Sequence, residues 1–317
     1  MLRETKAVID KKAKDTMICT EELNVLEVKL IWHRLIDKYG FNTDKLKTWV
    51  IKLNLLAKGI PQGLKYIVWS KLLEIKLGTN YSLLRDMKSK HDHQISVDVQ
   101  RTGTDIYQKD GEFKQEQIEL YNILIAFSNY NVKIGYCQGM SDIGAFVLTV
   151  FNEQEAFEVF CKLIENNRSQ LEYVNGKLNS NIGDIAGLFD EKLSLLPTLN
   201  LIQGDLFNIL NINKIISQVN DTDHLEYVLL KWYLTFFSRF QPELTYRIWD
   251  FLVFYDFNVL FYFTAAIIKY FEEDLKKIID EQELFEFVSN IEKNEIEANT
   301  IVNIVIEYLR ITKNKYL

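Results

Sequence analysis

The sequence predicts an all-α fold, an irregular two-lobed array of helices. Three observations carry that prediction. Glycine and proline are scarce, 13 and 3 in 317 residues, so little interrupts a helix. Apolar residues recur at three- and four-residue spacing through long segments, with little of the period-two alternation of a half-buried strand. No motif repeats at a fixed period, which argues against a solenoid, and the long non-repeating helices do not read as a four-helix bundle. At 48% hydrophobic and 26% charged residues, the chain can fill a large core or two subdomains sharing one.

The elements follow in order. Glu21 to Tyr39 carries Leu23, Leu26, Leu30, Trp32, Leu35 and Ile36 at helical spacing and stops at Gly40, a C-cap signal. Asn42 and Thr43 can cap the next helix, which carries Leu46, Trp49, Val50, Leu53 and Leu56. Gly59 and Pro61 punctuate, and a helix resumes from Gln62 to Leu77. Lys114 to Tyr130 sets Ile118, Tyr121, Leu124, Ile125 and Ser128 on one face, and Ser141 opens a strongly apolar helix to Phe151. The polar stretch Asn166 to Asn181 reads as a hinge or linker. Helical patterns resume over Ile182–Leu196, Leu206–Val219, His224–Phe240, Pro242–Phe254, Val259–Tyr270 and Thr300–Leu309. The run Phe251 to Ile268 has about the minimum length to span a bilayer, but Asp256 and Asn258 interrupt it. A mid-bilayer Asp costs about 2.5 kcal/mol or more, so the run is expected as two buried helices broken near Asp256.

Composition excludes several functions. The net charge is −7 and no basic tract exists, a poor match to nucleic acid. The first sixteen residues, MLRETKAVIDKKAKDT, mix acids with bases and lack the apolar core of a signal peptide. Cys19, Cys137 and Cys161 are too few and too scattered for a disulfide framework or a zinc site, so a reducing compartment, the cytoplasm, is expected. His91-Asp92-His93 supplies two potential ligands with no further His or Cys cluster to complete a metal site, and reads as a solvated loop. There is no GxxxxGK[ST], no GxSxG and no HExxH.

Two polar residues stand out. Arg101 follows Asp98 by three positions in ISVDVQRT, and TGTDIY after it ends the helix. The plain reading is a surface ion pair worth a few tenths of a kcal/mol. The sharper one is an arginine at a helix end, its rotamers restricted by Asp98, presenting a planar, permanently charged fork to a phosphoryl group. Gln138, in YCQGM, is on the plain reading a turn residue bonded to local backbone. On the sharper one its carboxamide positions a water, while Gly139 lets another backbone approach closely.

Taken together, GIPQGLKYIVW (Gly59–Trp69), ISVDVQRT (Ile95–Thr102) and YCQGM (Tyr136–Met140) resemble, in order and spacing, the three signature motifs of TBC-domain proteins, the GTPase-activating proteins of Rab-family small GTPases. LKWYLTFFSRFQPELTYRIWDFLVFYDFNVLF, Leu230 to Phe261, resembles the family's C-terminal block. The resemblance runs from about Gly59 to Phe271. It implies N-terminal helices over 1–58 that pack on the core, an N-terminal lobe over 59–165 carrying both motifs, and a C-terminal lobe with terminal helices over 166–317. It implies an arginine finger at Arg101 and a glutamine finger at Gln138 acting in trans, with Asp98 holding Arg101, Tyr136 bracing the glutamine loop, and Gly139 and Lys65 in support. The expected partner is a Rab GTPase that brings its own GTP and Mg²⁺, so the chain needs no cofactor or metal of its own. No transmembrane span is expected, and recruitment to endomembranes in vesicle traffic would run through the partner. Lys65 stands where the family usually has arginine, and Gly103-Thr104 where it often has a bulky residue and proline; both departures bear on rate. Trp69, Trp232, Trp249 and Asp250 read as core, and Cys137 as packing. The competing readings are a catalytically weak or inactive Rab-binding module and a helical scaffold with no GTPase partner.

Overall fold

The computed structural model describes residues 23–40, 42–78, 80–102, 114–166, 206–212, 215, 229 and 231–314. Among them every regular element is helical. The chain divides between Glu74 and Ile75 into two compact units.

The first unit holds α1 (Val25–Tyr39), α2 (Thr43–Lys52), a 3₁₀ turn (Leu55–Ala57) and α3 (Gln62–Leu72). Asn24 caps α1 reciprocally with Glu27: each side chain accepts the other's backbone N–H at 3.0 Å. The Gly40 N–H closes the helix on the Ile36 carbonyl at 2.8 Å. Asn42 caps α2 through the Lys45 N–H at 2.9 Å. The buried face of α1 is Val28, Ile31, Trp32, Leu35 and Ile36; the predicted Leu26 lies in solvent. The Trp32 indole donates to the Gly59 carbonyl at 3.3 Å, tying α1 to the loop that opens α3. Helix α3 ends five residues before the predicted Leu77, because Glu74 takes a left-handed φ of 54°.

In the second unit, α6 (Gln115–Tyr130) is the hub. Helices α4 (Tyr81–Asp86), α5 (Asp92–Arg101), α7 (Met140–Leu148) and α8 (Glu153–Asn166) all pack on it. Its C-terminal half is therefore buried around its whole girth, Ile123 to Ser128 without a break. Its N-terminal half has fewer neighbours, so Ile118, predicted on the core face, is exposed. Helix α8 had no counterpart in the sequence reading, although it buries Ala156, Phe157, Val159, Phe160, Leu163 and Ile164.

Farther on, α9 (Pro242–Phe254), α10 (Val259–Tyr270) and α13 (Ala298–Thr312) pack on one another, with α11 (Glu272–Leu275) and α12 (Glu281–Asn290) between. The apolar run does split at Tyr255–Asn258, where Asp256 accepts the Asn258 N–H at 2.8 Å. All ten residues from Val259 to Ile268 are buried, each large aliphatic or aromatic side chain contributing about 1.5–3 kcal/mol. No helix among the described residues is long and apolar enough to cross a membrane. Trp69, Trp232, Trp249 and Asp250 are all in the core. The segments predicted as a hinge beyond Asn166 and as a helix over Ile182–Leu196, most of Leu206–Val219 and the start of His224–Phe240 lie outside the described residues.

One departure from the predicted helices bears on the site. Of His224–Phe240, the part described past Lys231 is helical only to Leu234; Phe236 and Phe237 then take φ of 49° and 60°. Left-handed backbone costs a side-chain-bearing residue about 1–2 kcal/mol. Two bonds offset it here. The Trp249 indole donates to the Phe236 carbonyl at 2.8 Å, and the Thr245 hydroxyl lies 3.1 Å from the carbonyls of both Phe237 and Phe240. Both phenyl rings are fully buried.

Candidate functional site

Helix α5 ends where TGTDIY predicts. Its last residue is Arg101, and Thr102 caps it, returning both its N–H (2.9 Å) and its hydroxyl (2.8 Å) to the Asp98 carbonyl. Asp98, one turn earlier, faces inward and is 4% exposed. Its carboxylate collects three donors. Arg101 Nη2 reaches Oδ1, the Tyr136 hydroxyl reaches Oδ2 at 2.7 Å, and Gln94 Nε2 reaches Oδ2 at 3.1 Å. A buried carboxylate is tolerated when its lone pairs are satisfied in this way. The Arg101 side chain, by contrast, is 62% exposed. The helix end thus anchors one edge of the guanidinium and leaves the rest in solvent.

The same carboxylate anchors the second motif. Burial, then the bond to Asp98, push the Tyr136 phenol well above its ordinary pKa, so it stays a proton donor. Beyond Tyr136 the chain makes a tight turn: the Met140 N–H bonds the Cys137 carbonyl at 3.1 Å. Gly139, third in the turn, has φ 99° and ψ −20°, the signature of a type II turn, where a positive φ favours glycine. Gln138 therefore occupies the second position and is exposed, while Cys137 and Gly139 on either side are buried. Helix α7 begins at once, at Met140.

Two supports back this turn. A side chain on Gly139 would come within 3.2 Å of the Leu234 carbonyl, so the turn lies directly against the strained Leu234–Phe237 segment. The close approach anticipated at Gly139 is thus made from within this chain. At the other end Gly135, with φ 63°, lies against the His91 ring, whose Nε2 stands 2.4 Å from where a β-carbon would be. That Nε2 is buried without a hydrogen-bond partner, and burial, then Lys90, lower the His91 pKa. His91 is the N-cap of α5, so the two motif segments touch at the start of α5 and again through Asp98 and Tyr136 near its end.

Asp142, in the first turn of α7, is pushed upward in pKa by burial, with the Arg239 cation opposing. Arg239 Nε also lies 3.5 Å from Glu292 Oε1, which Lys231 Nζ reaches at 2.6 Å. None of these four was singled out from sequence, since 142, 231, 239 and 292 carry no local spacing signal. Gln94 was missed too, although i−4 from Asp98 on one helix is a legible spacing. Lys65 lies in the first unit, buried, with its ammonium 5.5 Å from the Trp69 ring centroid. Among the described residues no cluster of three or more His, Cys, Asp or Glu is arranged to hold a metal ion.

The site thus sets an anchored, outward arginine and an outward glutamine on a type II turn within an all-helical fold, and comparison with known proteins gives the family. The Rab-GTPase-TBC domain model matches residues 49–276, and the chain belongs to that family. It is 31% identical over 142 residues to Rab GTPase-activating protein eat-17 of Caenorhabditis elegans, covering 44% of this chain and 16% of that protein. It is 24% identical over 267 residues to TBC1 domain family member 2B of Xenopus tropicalis and 26% identical over 261 to member 2A of Bos taurus. In both, 79% of this chain and 26% of the relative are covered. The chain thus matches about a quarter or less of the length of these curated relatives. The crystal structure of the Chlamydomonas flagellar RabGAP TBC domain shares its fold, with a TM-score of 0.63 at 20% identity over 92% of this chain and 96% of that one.

Proposed function

We propose that this chain accelerates GTP hydrolysis on a Rab-family small GTPase, acting in trans with Arg101 as the arginine finger and Gln138 as the glutamine finger. The observation that carries this reading is the Asp98–Tyr136 bond, which ties the segment bearing the exposed Gln138 to the same buried carboxylate that holds the exposed Arg101. Phosphoryl transfer to water is limited by positioning and by charge, and both are what such a frame supplies. In the partner's site a water attacks the γ-phosphorus in line with the β–γ bridging oxygen. The P–O bond to that oxygen breaks, GDP departs with the electron pair, and the proton released from the water passes to phosphate oxygen. Arg101 donates to the oxygens on which charge develops. Gln138 accepts a hydrogen bond from the attacking water through its carbonyl and donates to the partner through its amide. GTP and Mg²⁺ belong to the partner, and hydrolysis happens there, so this chain is an activator and not itself the hydrolase. On this reading it acts from the cytoplasm on vesicle traffic, reaching endomembranes through the Rab.

The test is phosphate release from a panel of GTP-loaded Rabs with wild-type chain, Arg101→Ala and Gln138→Ala. Arg101→Ala is expected to lose about 10³-fold or more in stimulated rate, and Gln138→Ala about 10²–10³-fold, with Rab binding kept. Binding to a Rab without any acceleration would overturn the catalytic reading in favour of a binding module.

A further inference from the structure

Beside the glutamine turn the surface runs against the net charge of the chain. Three contacts lay the 87–91 segment along the end of α6 and the 131–135 turn. The Ser89 and Ser128 hydroxyls meet at 2.6 Å. Ser128 also reaches the Ile125 carbonyl at 2.8 Å, so Ser89 is the donor of the pair and its oxygen is left to accept the His91 N–H at 3.0 Å. Asn129 Nδ2 donates to the carbonyls of Leu84 at 2.9 Å and Met87 at 3.1 Å. His91 lies on Gly135. Along this seam Lys88, Lys90 and Lys133 are exposed, and none forms an ion pair among the described residues. Two described acids next to these lysines in sequence are engaged elsewhere: Asp86 by Arg85 Nε at 3.1 Å, and Asp92 by the Tyr121 hydroxyl. Two apolar side chains stand in solvent on the same seam, Met87 at 47% and Val132 at 63% exposure. The result is a basic patch carrying apolar side chains on a protein of net charge −7.

We infer that Met87, Lys88, Lys90, Val132 and Lys133 form a docking surface for the GTPase partner, and that it takes a surface of carboxylates set around an apolar contact next to the nucleotide pocket. This rests on the function proposed above. Reach supports the assignment. Gly135 and Gln138 are three residues apart, at most about 11 Å of chain. A standard interface covers about 800 Å² of each partner, equivalent to a disc of about 16 Å radius. A GTPase that brings its nucleotide to Gln138 therefore has the His91–Gly135 seam within reach of its contact surface. Lysines covered in this way need carboxylates opposite them, because an unpaired ammonium resists desolvation. A chain of net charge −7 repels carboxylates at long range, and a basic patch beside the fingers reverses that repulsion locally, where orientation matters. Met87 and Val132 supply the apolar area that holds the encounter once formed.

The test uses the full chain with Lys88, Lys90 and Lys133 all replaced by Glu. All three are exposed, so a matching thermal melt is expected. Stimulated phosphate release is measured as kcat and KM on the Rab that wild type accelerates, at ionic strengths of about 0.05 and about 0.5 M. Binding to the GTP-loaded Rab and to phosphatidylserine–phosphatidylcholine vesicles is measured in parallel. The proposal expects KM to rise about tenfold or more at low salt, kcat to hold within about twofold, and the salt dependence of KM to shrink. An unchanged KM overturns it, as does a fall in kcat at constant KM. Loss of vesicle binding with Rab kinetics intact also overturns it and assigns the patch to a membrane. If wild type accelerates no Rab, the catalytic reading has failed, and Rab binding decides the patch. Binding by wild type that the triple variant loses upholds it, and equal binding or none overturns it.

Discussion

Replacing Asp98 separates what its carboxylate does for the fold from what it does for Arg101. Asp98→Ala removes the acceptor of three donors at once, but the donors are not equally placed. Gln94 is exposed and its amide returns to water at little cost, and Arg101 is 62% exposed, so its charge is not stranded. Tyr136 is 8% exposed, and its hydroxyl is left buried. Stranding a buried polar group costs about 1–3 kcal/mol, so we expect Asp98→Ala to lose about 1–3 kcal/mol of stability, nearly all of it through Tyr136. Asp98→Asn can keep its carbonyl on Arg101 while its amide donates to the Tyr136 hydroxyl oxygen and, once the exposed Gln94 amide turns over, to Gln94 Oε1, so the main loss is the charge, at about 1 kcal/mol. Tyr136→Phe in combination with Asp98→Ala then recovers most of the loss. On the catalytic side, Arg101 freed of its anchor regains up to about 2 kcal/mol of rotamer entropy, which limits the fall in stimulated kcat to about 30-fold. That is far below the loss expected when the arginine itself is removed. Urea unfolding followed by tryptophan fluorescence supplies the double-mutant cycle, and phosphate release supplies kcat. A coupling energy below about 0.5 kcal/mol between Asp98 and Tyr136 would refute the reasoning, since direct partners must couple by more.

Three further outcomes follow from the supports of the turn. Gly139→Ala places a β-carbon on a φ of 99° and 3.2 Å from the Leu234 carbonyl; it is expected to cost about 2 kcal/mol in a urea melt and to lower stimulated kcat more than Rab binding. Gly135→Ala drives its methyl into the His91 ring, so adding His91→Ala is expected to restore all but the backbone cost of about 1 kcal/mol, and a double variant no more stable than Gly135→Ala would show that the ring is not the obstacle. Because the folded pKa of His91 lies below its unfolded value of about 6.5, the unfolded chain takes up more protons below that pH. Stability should therefore fall as pH drops from about 7.5 to about 5.5, and His91→Gln should flatten that part of the urea-midpoint profile.

Much of the fold is written locally. Helix starts at Asn24 and Asn42 are side-chain caps that act within three residues, and the break at Asp256 is likewise local. Sequence therefore predicted an all-helical chain, the placing of several helices, and the helix end at Arg101. It also brought Asp98 to Arg101, because three residues on a helix is a contact by geometry alone. The family resemblance named Arg101, Gln138 and their neighbours, and with them the function to be tested.

Tertiary structure decided the rest. Ile118 fits the helical period as well as Leu124 does, but the period does not say how many neighbours surround each end of a helix; α6 is enclosed only at its C-terminal half. Period also cannot foresee that the helix through Trp232 stops short of Phe240, because the bonds that hold Phe236 and Phe237 left-handed come from Thr245 and Trp249 on the next helix. The Asp98–Tyr136 bond joins residues 38 apart, and the Leu234 carbonyl meets Gly139 across 95 positions of sequence. The sequence alone singled out the side chains whose chemistry suits the proposed reaction. Their shared anchor came only with the tertiary fold, because a buried carboxylate collects its donors from whatever packing brings near, and packing is a property of the whole chain.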